Sequence, residues 1–113
     1  RQAAEHLLHG GASGVIFCER GVAGTGERPE TRNTLDISAV ALLKHVERSV
    51  VWVDPSHGAG RRDLILPLSR AALAAGADGL LIEAHPEARR ARSDGPQALS
   101  SAELARLGEE LFV

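Results

Sequence analysis

The segment Val50–His57 has the sequence VVWVDPSH and passes directly from four apolar residues into a polar cluster. A short apolar run rich in β-branched residues is typical of a strand covered on both faces, as the strands of parallel sheets are. Polar residues at the carboxyl end of such a strand lie where α/β folds bind their ligands. The segment therefore predicts a parallel strand that ends at a ligand-binding edge.

The same change from apolar to polar sequence occurs twice more. Val15-Ile16-Phe17 precedes Cys18-Glu19-Arg20-Gly21, and Gly79–Ile82 precedes Glu83-Ala84-His85-Pro86. Helix-like segments flank the three predicted strands: Gln2–His9, Ser38–Glu47, Leu64–Ala75 and a last helix that opens with the capping box Ser100-x-x-Glu103. Asp63 is expected to cap the third helix, and Gly76 to take the left-handed position after it.

The order and spacing of these elements define the fold class. Parallel strands joined by helical crossovers follow naturally from the order α-β-α-β-α-β-α. A recurrence of about 30 to 35 residues suits consecutive units of a (β/α)8 barrel, although three units cannot close one. We therefore predict an α/β fold, a partial TIM barrel of three parallel strands with their helices. A small doubly wound sheet is the alternative.

Length, charge and cysteine content exclude several classes of protein. The 113 residues suit one small domain, and a net charge of −2 gives no reason to expect a nucleic acid or an acidic membrane as partner. The single cysteine cannot form an internal disulfide, which favours a reducing compartment. No apolar run approaches the roughly 20 residues that span a bilayer. We expect a cytoplasmic protein that binds neither nucleic acid nor membranes.

Imidazole and carboxylate side chains gather near two of the predicted strand ends. His57 follows the second strand, Glu83 and His85 follow the third, and Asp94 lies in the next loop. These groups suit a divalent metal of the Mn, Fe, Co or Zn type, although their spacing lacks the compactness of a zinc-finger pattern. The alternative for His57 is an ordinary loop histidine with a hydrogen-bonded ring.

Arg20 and Cys18 lie at the end of the first predicted strand. The guanidinium of Arg20 can fork onto a carboxylate or phosphate, or it can form a salt bridge with Glu19 or Asp54. Cys18 can act as a thiolate, but the adjacent sequence offers no base to activate it. We favour a small, half-buried strand-end residue.

Six sequence blocks occur in a fixed order along the chain. They are Cys18-Glu19-Arg20-Gly21, Thr31–Asp36, Asp54–His57, Gly60–Asp63, Ile82–Pro86 and Ser93–Gln97. Together they resemble the last three β/α units of the 3-deoxy-7-phosphoheptulonate (DAHP) synthases that are related to KDO-8-phosphate synthase. The resemblance implies that residues 1–113 are the C-terminal part of a single TIM-barrel synthase domain.

The resemblance also implies an activity. The intact enzyme is expected to be a homo-oligomeric transferase that condenses phosphoenolpyruvate with erythrose 4-phosphate and releases phosphate, the first step of the shikimate pathway. Three residues are expected to be catalytic as protein ligands of a divalent metal: His57, Glu83 and Asp94. Arg20 is expected to bind phosphoenolpyruvate, and His85 to lie at the substrate site with its role left open. Asp54 is expected to orient His57 or a bound water.

Parts of the family pattern are absent from these residues. The loop Val22–Glu30 is longer and richer in glycine than the pattern, and Ala23 stands where an arginine is usual. Cys18 does not match the family's metal-binding cysteine, which belongs to a Gly-Pro-Cys-Ser segment in an earlier unit. The phosphate-binding Lys-Pro-Arg-Thr segment and a donor-binding lysine also belong to earlier units. We therefore expect these residues to be inactive without N-terminal barrel units as partners.

Two other functions stay open. KDO-8-phosphate synthase shares the donor but takes arabinose 5-phosphate, and it tends to carry Asp-Ala-Thr-His where this chain has Asp54–His57. That block, followed by Gly60–Asp63, favours DAHP synthase. A non-catalytic barrel remnant that keeps the strand-end residues is the second alternative.

Overall fold

The structure, a computed structural model, describes residues 2–24 and 30–112. Its elements in chain order are helix α1 (Gln2–His9), strand β1 (Ile16–Glu19), helix α2 (Ile37–Ala41) with a π-helical turn (Leu42–Val46), strand β2 (Val50–Val53), helix α3 (Pro55–Ala59), a 3₁₀ turn (Arg62–Leu64), helix α4 (Ile65–Ala74), strand β3 (Gly79–Leu80), a 3₁₀ turn (Ala88–Arg90) and helix α5 (Ser101–Phe112). The predicted alternation of helices and strands is confirmed.

The three strands form one parallel sheet in the order β1-β2-β3. Ile16 pairs with Val50 and Glu19 pairs with Val53, so β1 and β2 end level with each other. Parallel neighbours bring their carboxyl ends to one edge, where Arg20 directly follows β1 and Asp54 directly follows β2. The predicted fold class, a partial α/β barrel of three parallel strands with their helices, is confirmed.

Strand β3 is shorter than the predicted Gly79–Ile82. Leu81 N still donates to Val53 O at 2.8 Å. The neighbouring strand β2 ends at Val53, however, and the residues that follow it form α3 from Pro55 onward. Beyond that point Glu83 N donates instead to the side chain of Ser56, at 3.0 Å from Oγ. The strand therefore ends because its partner turns into a helix, although its own sequence stays apolar through Ile82.

The hydrophobic core lies on one face of the sheet. Val51 and Val53 of β2 are fully buried against Val40 of α2 and Ala72 of α4. On the opposite face three large apolar side chains remain exposed: Ile16 (49%), Val50 (45%) and Trp52 (37%). The apolar pattern typical of strands covered on both faces is matched by a packed layer on one face only, because nothing in the described ranges forms a layer over the second face.

The indole of Trp52 lies across its neighbour on β3, Gly79. A Cβ added at Gly79 would come within 2.8 Å of Trp52 Nε1. Glycine therefore leaves the space that the ring occupies on the uncovered face of the sheet.

The helices follow the sequence signals in part. Helix α1 coincides with the predicted segment, and the predicted helix Ser38–Glu47 is present as α2 with its π-helical turn. Asp36 caps α2, with Oδ1 accepting from Ala39 N at 2.9 Å. Within residues 2–24 and 30–112, no helix is long and apolar enough to cross a membrane.

The predicted caps of the last two helices differ in outcome. Gly76 has a φ of +99° directly after α4, as predicted. The capping box is confirmed, with Ser100 N donating to Glu103 Oε2 at 2.7 Å. The predicted cap at Asp63 is wrong, because the helical path already begins in the 3₁₀ turn and the carboxylate of Asp63 instead binds Arg61 at 2.7 Å.

Two neighbouring valines test the one-sided core. Val51→Ala removes two buried methyl groups and is expected to lower the free energy of unfolding by about 1–3 kcal/mol. Val50→Ala, the matched change on the exposed face, is expected to cost less than about 0.5 kcal/mol. Urea denaturation of both variants of the polypeptide 1–113, without the rest of the barrel, measures the difference at low protein concentration. Equal losses would contradict a core on one face.

Candidate active site at the carboxyl edge of the sheet

Helix α3 places His57 immediately after strand β2. Asp54 is the N-cap, with Oδ1 accepting from His57 N at 2.9 Å, and Pro55 is in the first turn. Gly60 ends the helix with a φ of +69°. No helix is predicted here from the apolar pattern, although Asp-Pro at the start and glycine at the end are ordinary signals of one.

The carboxylate of Asp54 is fully buried and joins two of the predicted site residues. Its Oδ2 accepts from Arg20 Nε at 3.0 Å and lies 2.7 Å from His57 Nδ1. A buried carboxylate requires such partners, since an unpaired charge in the interior is costly. The salt bridge considered for Arg20 and the hydrogen-bonded ring considered for His57 are therefore both present. The expected contact between Asp54 and His57 is present as well.

After these contacts, Arg20 and His57 still have atoms that can bind a further group at the edge of the sheet. A guanidinium has five N–H donors, and the side chain of Arg20 remains 55% exposed, so it can still fork onto an anion. For His57, the Asp54 carboxylate favours hydrogen on Nδ1, which leaves the lone pair of Nε2 facing the other way.

The second ring nitrogen of His57 faces two carboxylates. Nε2 lies 3.9 Å from Glu83 Oε2 and 3.7 Å from Asp94 Oδ2. With a neutral ring, the lone pair of Nε2 has an oxygen of each carboxylate within 3.9 Å and no hydrogen between them. Such a set of atoms is complementary to a cation. The three predicted metal ligands are therefore neighbours at one edge of the sheet.

The distances fit a shared cation without forming a finished site. Coordinate bonds of about 2.0–2.2 Å allow two ligand atoms of one ion to lie up to roughly 4.4 Å apart, and both distances from His57 Nε2 fall within that limit. As they stand, no group of three His, Cys, Asp or Glu side chains in residues 2–24 and 30–112 is arranged to hold a metal ion. Ligation of a metal by His57, Glu83 and Asp94 stays a prediction.

Asp94 is held by its own loop and by a distant arginine. It has a φ of +56°, which is unusual for a residue with a side chain. Its Oδ1 accepts from the buried Gln97 and from Arg32 Nη1, the latter at 3.2 Å. Burial acts to raise the pKa of Asp94, but the hydrogen bonds from Gln97 and Arg32 and the charge of Arg32 hold that pKa below its ordinary value. The carboxylate is therefore ionised at neutral pH, as a metal ligand must be.

Arg32 and Gln97 were missed as site residues by sequence reasoning. Both lie inside the quoted blocks Thr31–Asp36 and Ser93–Gln97. Arg32 reaches Asp94 from 62 positions away, and no local pattern in the chain indicates such a contact.

His85 lies two residues after Glu83 in the sequence, but its hydrogen bonds are to backbone atoms of Glu87 and Leu99. Its Nδ1 accepts from Glu87 N at 3.0 Å, and its backbone N donates to Leu99 O at 2.9 Å. Its role in binding substrate stays a prediction.

Cys18 is exposed, so the expectation of a half-buried residue is wrong. The reason is that Cys18 pairs with Trp52 and shares the uncovered face of the sheet. Partial desolvation, followed by the charge of Asp54, raises the pKa of the Cys18 thiol. A raised pKa disfavours the thiolate, which agrees with the prediction that Cys18 is neither nucleophile nor ligand.

The loop after β1 packs against α3. Val22 and Thr34 exchange backbone hydrogen bonds of 2.8 and 3.1 Å, and Asn33 N donates to Gly58 O at 3.0 Å. A Cβ at Gly21, where φ is +92°, would come within 2.7 Å of Asn33 Cβ. Residues 25–29, the middle of the long loop noted in the sequence, lie outside the described residues, and the effect of Ala23 on loop geometry stays untested.

A parallel sheet with helices packed on one face and polar side chains at its carboxyl edge is typical of a segment of a β/α barrel. The chain belongs to the DAHP synthetase I family, whose family model matches residues 1–112. Phospho-2-dehydro-3-deoxyheptonate aldolase of Thermotoga maritima is 48% identical over 109 residues, which are 96% of this chain and 32% of that protein. A 2-dehydro-3-deoxyphosphooctonate aldolase of Vibrio cholerae is 38% identical over 108 residues, which are 84% of this chain and 36% of that protein.

The chain is also similar to solved structures of the same family. A truncated form of 3-deoxy-D-arabino-heptulosonate 7-phosphate synthase from Thermotoga maritima has a TM-score of 0.86 at 46% identity and covers 96% of this chain and 41% of that one. A further DAHP synthase structure from the same organism has a TM-score of 0.85 at 45% identity, with coverage of 97% and 32%. The predicted resemblance is confirmed, and the chain spans about a third of the length of the curated relatives it matches.

The contact between Asp54 and His57 predicts the tautomer of the ring. Asp54→Asn keeps the shape of the side chain, but its neutral amide has one oxygen in place of two. It cannot replace both Oδ1, which accepts from His57 N, and Oδ2, which contacts Arg20 and His57 Nδ1. The variant is expected to lose the preference for hydrogen on Nδ1, and about 1–3 kcal/mol of stability through the unsatisfied buried groups. Long-range ¹H–¹⁵N correlation spectra of His57 measure the tautomer.

Asp36→Asn is the matched control for that change. It alters another N-cap, away from His57, and asparagine caps helices as well as aspartate does. The ring of His57 should be unchanged in this variant. A normal tautomer in Asp54→Asn would show that Asp54 does not orient the ring.

Proposed function

We propose that the protein carrying this chain is a DAHP synthase, which condenses phosphoenolpyruvate with erythrose 4-phosphate and releases inorganic phosphate. The observation that carries the proposal is the approach of His57 Nε2 to Glu83 and Asp94, within 3.9 Å, at the sheet edge that also bears Arg20. Membership of the DAHP synthetase I family supports it. Because the chain spans about a third of its relatives, the reaction requires the units that complete the barrel.

Arg20 is proposed to bind the anionic donor. Its guanidinium is fixed through Nε to the buried carboxylate of Asp54, so its orientation is set before the substrate arrives. A fixed cation beside phosphoenolpyruvate offsets the charge of the donor and limits its orientations. His85 is proposed to lie near the same substrate, which is consistent with its place directly after the strand-end glutamate.

His57, Glu83 and Asp94 are proposed to hold a divalent cation of the Mn, Fe, Co or Zn type. Such a cation, when bound, polarises the aldehyde oxygen of the acceptor sugar, so that the enol carbon of the donor can attack the aldehyde carbon. Asp54 keeps hydrogen on His57 Nδ1 and thereby directs the lone pair of Nε2 toward the two carboxylates. The homo-oligomeric state and the cytoplasmic location expected from the sequence stay predictions.

KDO-8-phosphate synthase is the second candidate, because relatives with that chemistry are also similar to the chain. The Vibrio cholerae 2-dehydro-3-deoxyphosphooctonate aldolase is 38% identical, against 48% for the Thermotoga maritima heptonate enzyme. The block Asp54–His57 also favours the heptonate reaction. A non-catalytic barrel remnant is the third alternative, and such a protein would bind neither metal nor substrate at this edge.

The acceptor sugar decides between the two reactions. The full polypeptide that carries residues 1–113 is expected to release phosphate from phosphoenolpyruvate with erythrose 4-phosphate, with a kcat/KM about 10²-fold above that with arabinose 5-phosphate. Phosphate release and the 3-deoxy sugar product are both measured. The reverse preference would identify the octonate reaction, and no turnover with either sugar would contradict both.

His57→Ala in the same polypeptide separates a catalyst from a remnant. Loss of this side chain is expected to reduce kcat/KM by at least about 10²-fold, since it removes one of the groups that hold the charge-stabilising cation. His6→Ala, an exposed histidine on α1, is the matched control and should retain full activity. An active His57→Ala variant would contradict the assigned site.

A further inference from the structure

Arg32 is tied to the helix that carries His57. Its backbone N donates to Ala59 O at 2.8 Å, at the end of α3. Its side-chain stem lies against Gly60, where an added Cβ would come within 2.8 Å of Arg32 Cβ. The φ of Gly60, +69°, is also one that favours glycine. The start of the Arg32 side chain is therefore fixed relative to His57 by backbone and packing contacts.

The other end of Arg32 reaches the loop that carries Asp94. Nη1 donates to Asp94 Oδ1 at 3.2 Å, and Gln97 Nε2 donates to the same oxygen. With Oδ1 engaged twice, it is Oδ2 that approaches His57 Nε2, at 3.7 Å.

A second arginine holds the neighbouring residue of the same loop. Arg62 Nη2 donates to Gly95 O at 2.9 Å. Asp94 itself has a φ of +56°, a backbone conformation that side-chain-bearing residues seldom adopt without surrounding contacts. The loop conformation is thus maintained from outside by two cationic side chains of distant segments.

Stability alone gives little reason for the contact between Arg32 and Asp94. The two side chains are 57% and 28% exposed, and exposed ion pairs contribute little to folding. The contact instead determines which carboxylate oxygen faces the candidate metal site.

We propose that Arg32 is a positioning residue that turns the carboxylate of Asp94 so that Oδ2 faces His57 and is available to a divalent cation. This rests on the proposed metal site at His57, Glu83 and Asp94. It adds a residue from the loop between β1 and α2 that touches neither substrate nor cation and acts through Asp94. Hydrogen-bond partners of carboxylate ligands commonly set metal affinity in this way.

The direction of the change in metal affinity distinguishes a positioning role of Arg32 from a purely electrostatic one. Arg32→Met removes a cation near the site, and by electrostatics alone this would strengthen the binding of a divalent cation. Loss of positioning has the opposite effect, about a tenfold weaker affinity. Co²⁺ titration of the full polypeptide that carries this chain, followed by visible absorption, measures the affinity and reports the ligand geometry without any assay of turnover.

Two further variants complete the test. Arg70→Met is the matched control, because Arg70 is 58% exposed and contacts Glu110 at 3.1 Å, outside the site; it should bind Co²⁺ as the unaltered protein does. Arg32→Lys keeps a cation within reach of Asp94 and should bind more tightly than Arg32→Met. Thermal melts of all variants verify that each is folded.

The outcomes separate the two proposals. Unchanged or tighter Co²⁺ binding in Arg32→Met, or an equal loss in Arg70→Met, would overturn the role of Arg32 while leaving the metal site in place. No Co²⁺ binding by the unaltered polypeptide would overturn the metal site and the inference together. A tenfold loss in Arg32→Met, partly restored in Arg32→Lys, supports the positioning role.

Discussion

A single buried carboxylate organises the carboxyl edge of the sheet. Asp54 begins α3, holds the ring of His57 and fixes the guanidinium of Arg20, all from a position that water does not reach. A charge in such a place has to be satisfied by its neighbours, so the three contacts depend on one another. The imidazole lies in the helix that follows β2 and the guanidinium directly follows β1, and Asp54 contacts both.

The two faces of the sheet have different surroundings, and this difference follows from the fold. The helices that join parallel strands pack on one side, where Val51 and Val53 form the core with Val40. In a closed barrel the other side is filled by residues from the remaining strands. Here Val50 and Trp52 point to that side and remain exposed. The candidate site lies at the carboxyl edge of the sheet, where Asp54 of the buried strand end contacts Arg20 and His57.

Much of this fold follows from local sequence patterns. The three apolar runs correctly indicate parallel strands, and the capping box at Ser100 and Glu103 is read directly from residue spacing. The prediction fails where a distant or competing partner decides the outcome. Strand β3 ends early because the residues after β2 form helix α3. Asp63 binds Arg61 and does not cap helix α4.

The same distinction applies to the candidate site. The strand-end positions of His57 and Glu83 follow from the sequence pattern, and their proximity to each other follows from parallel strands. Arg32 was not identified, because its contact with Asp94 joins segments far apart in the chain and depends on the packing of its stem against Gly60. Contacts of this kind depend on three-dimensional packing, which no spacing rule describes.

The position of Trp52 on the open face has a spectroscopic consequence. It is the only tryptophan in the sequence, which contains no tyrosine, so near-ultraviolet fluorescence of this chain arises from one indole. That indole lies over Gly79 and is partly in contact with solvent. Any polypeptide that covers the interior side of the sheet must remove water from this ring, and the emission of Trp52 would move to shorter wavelength as the barrel closes.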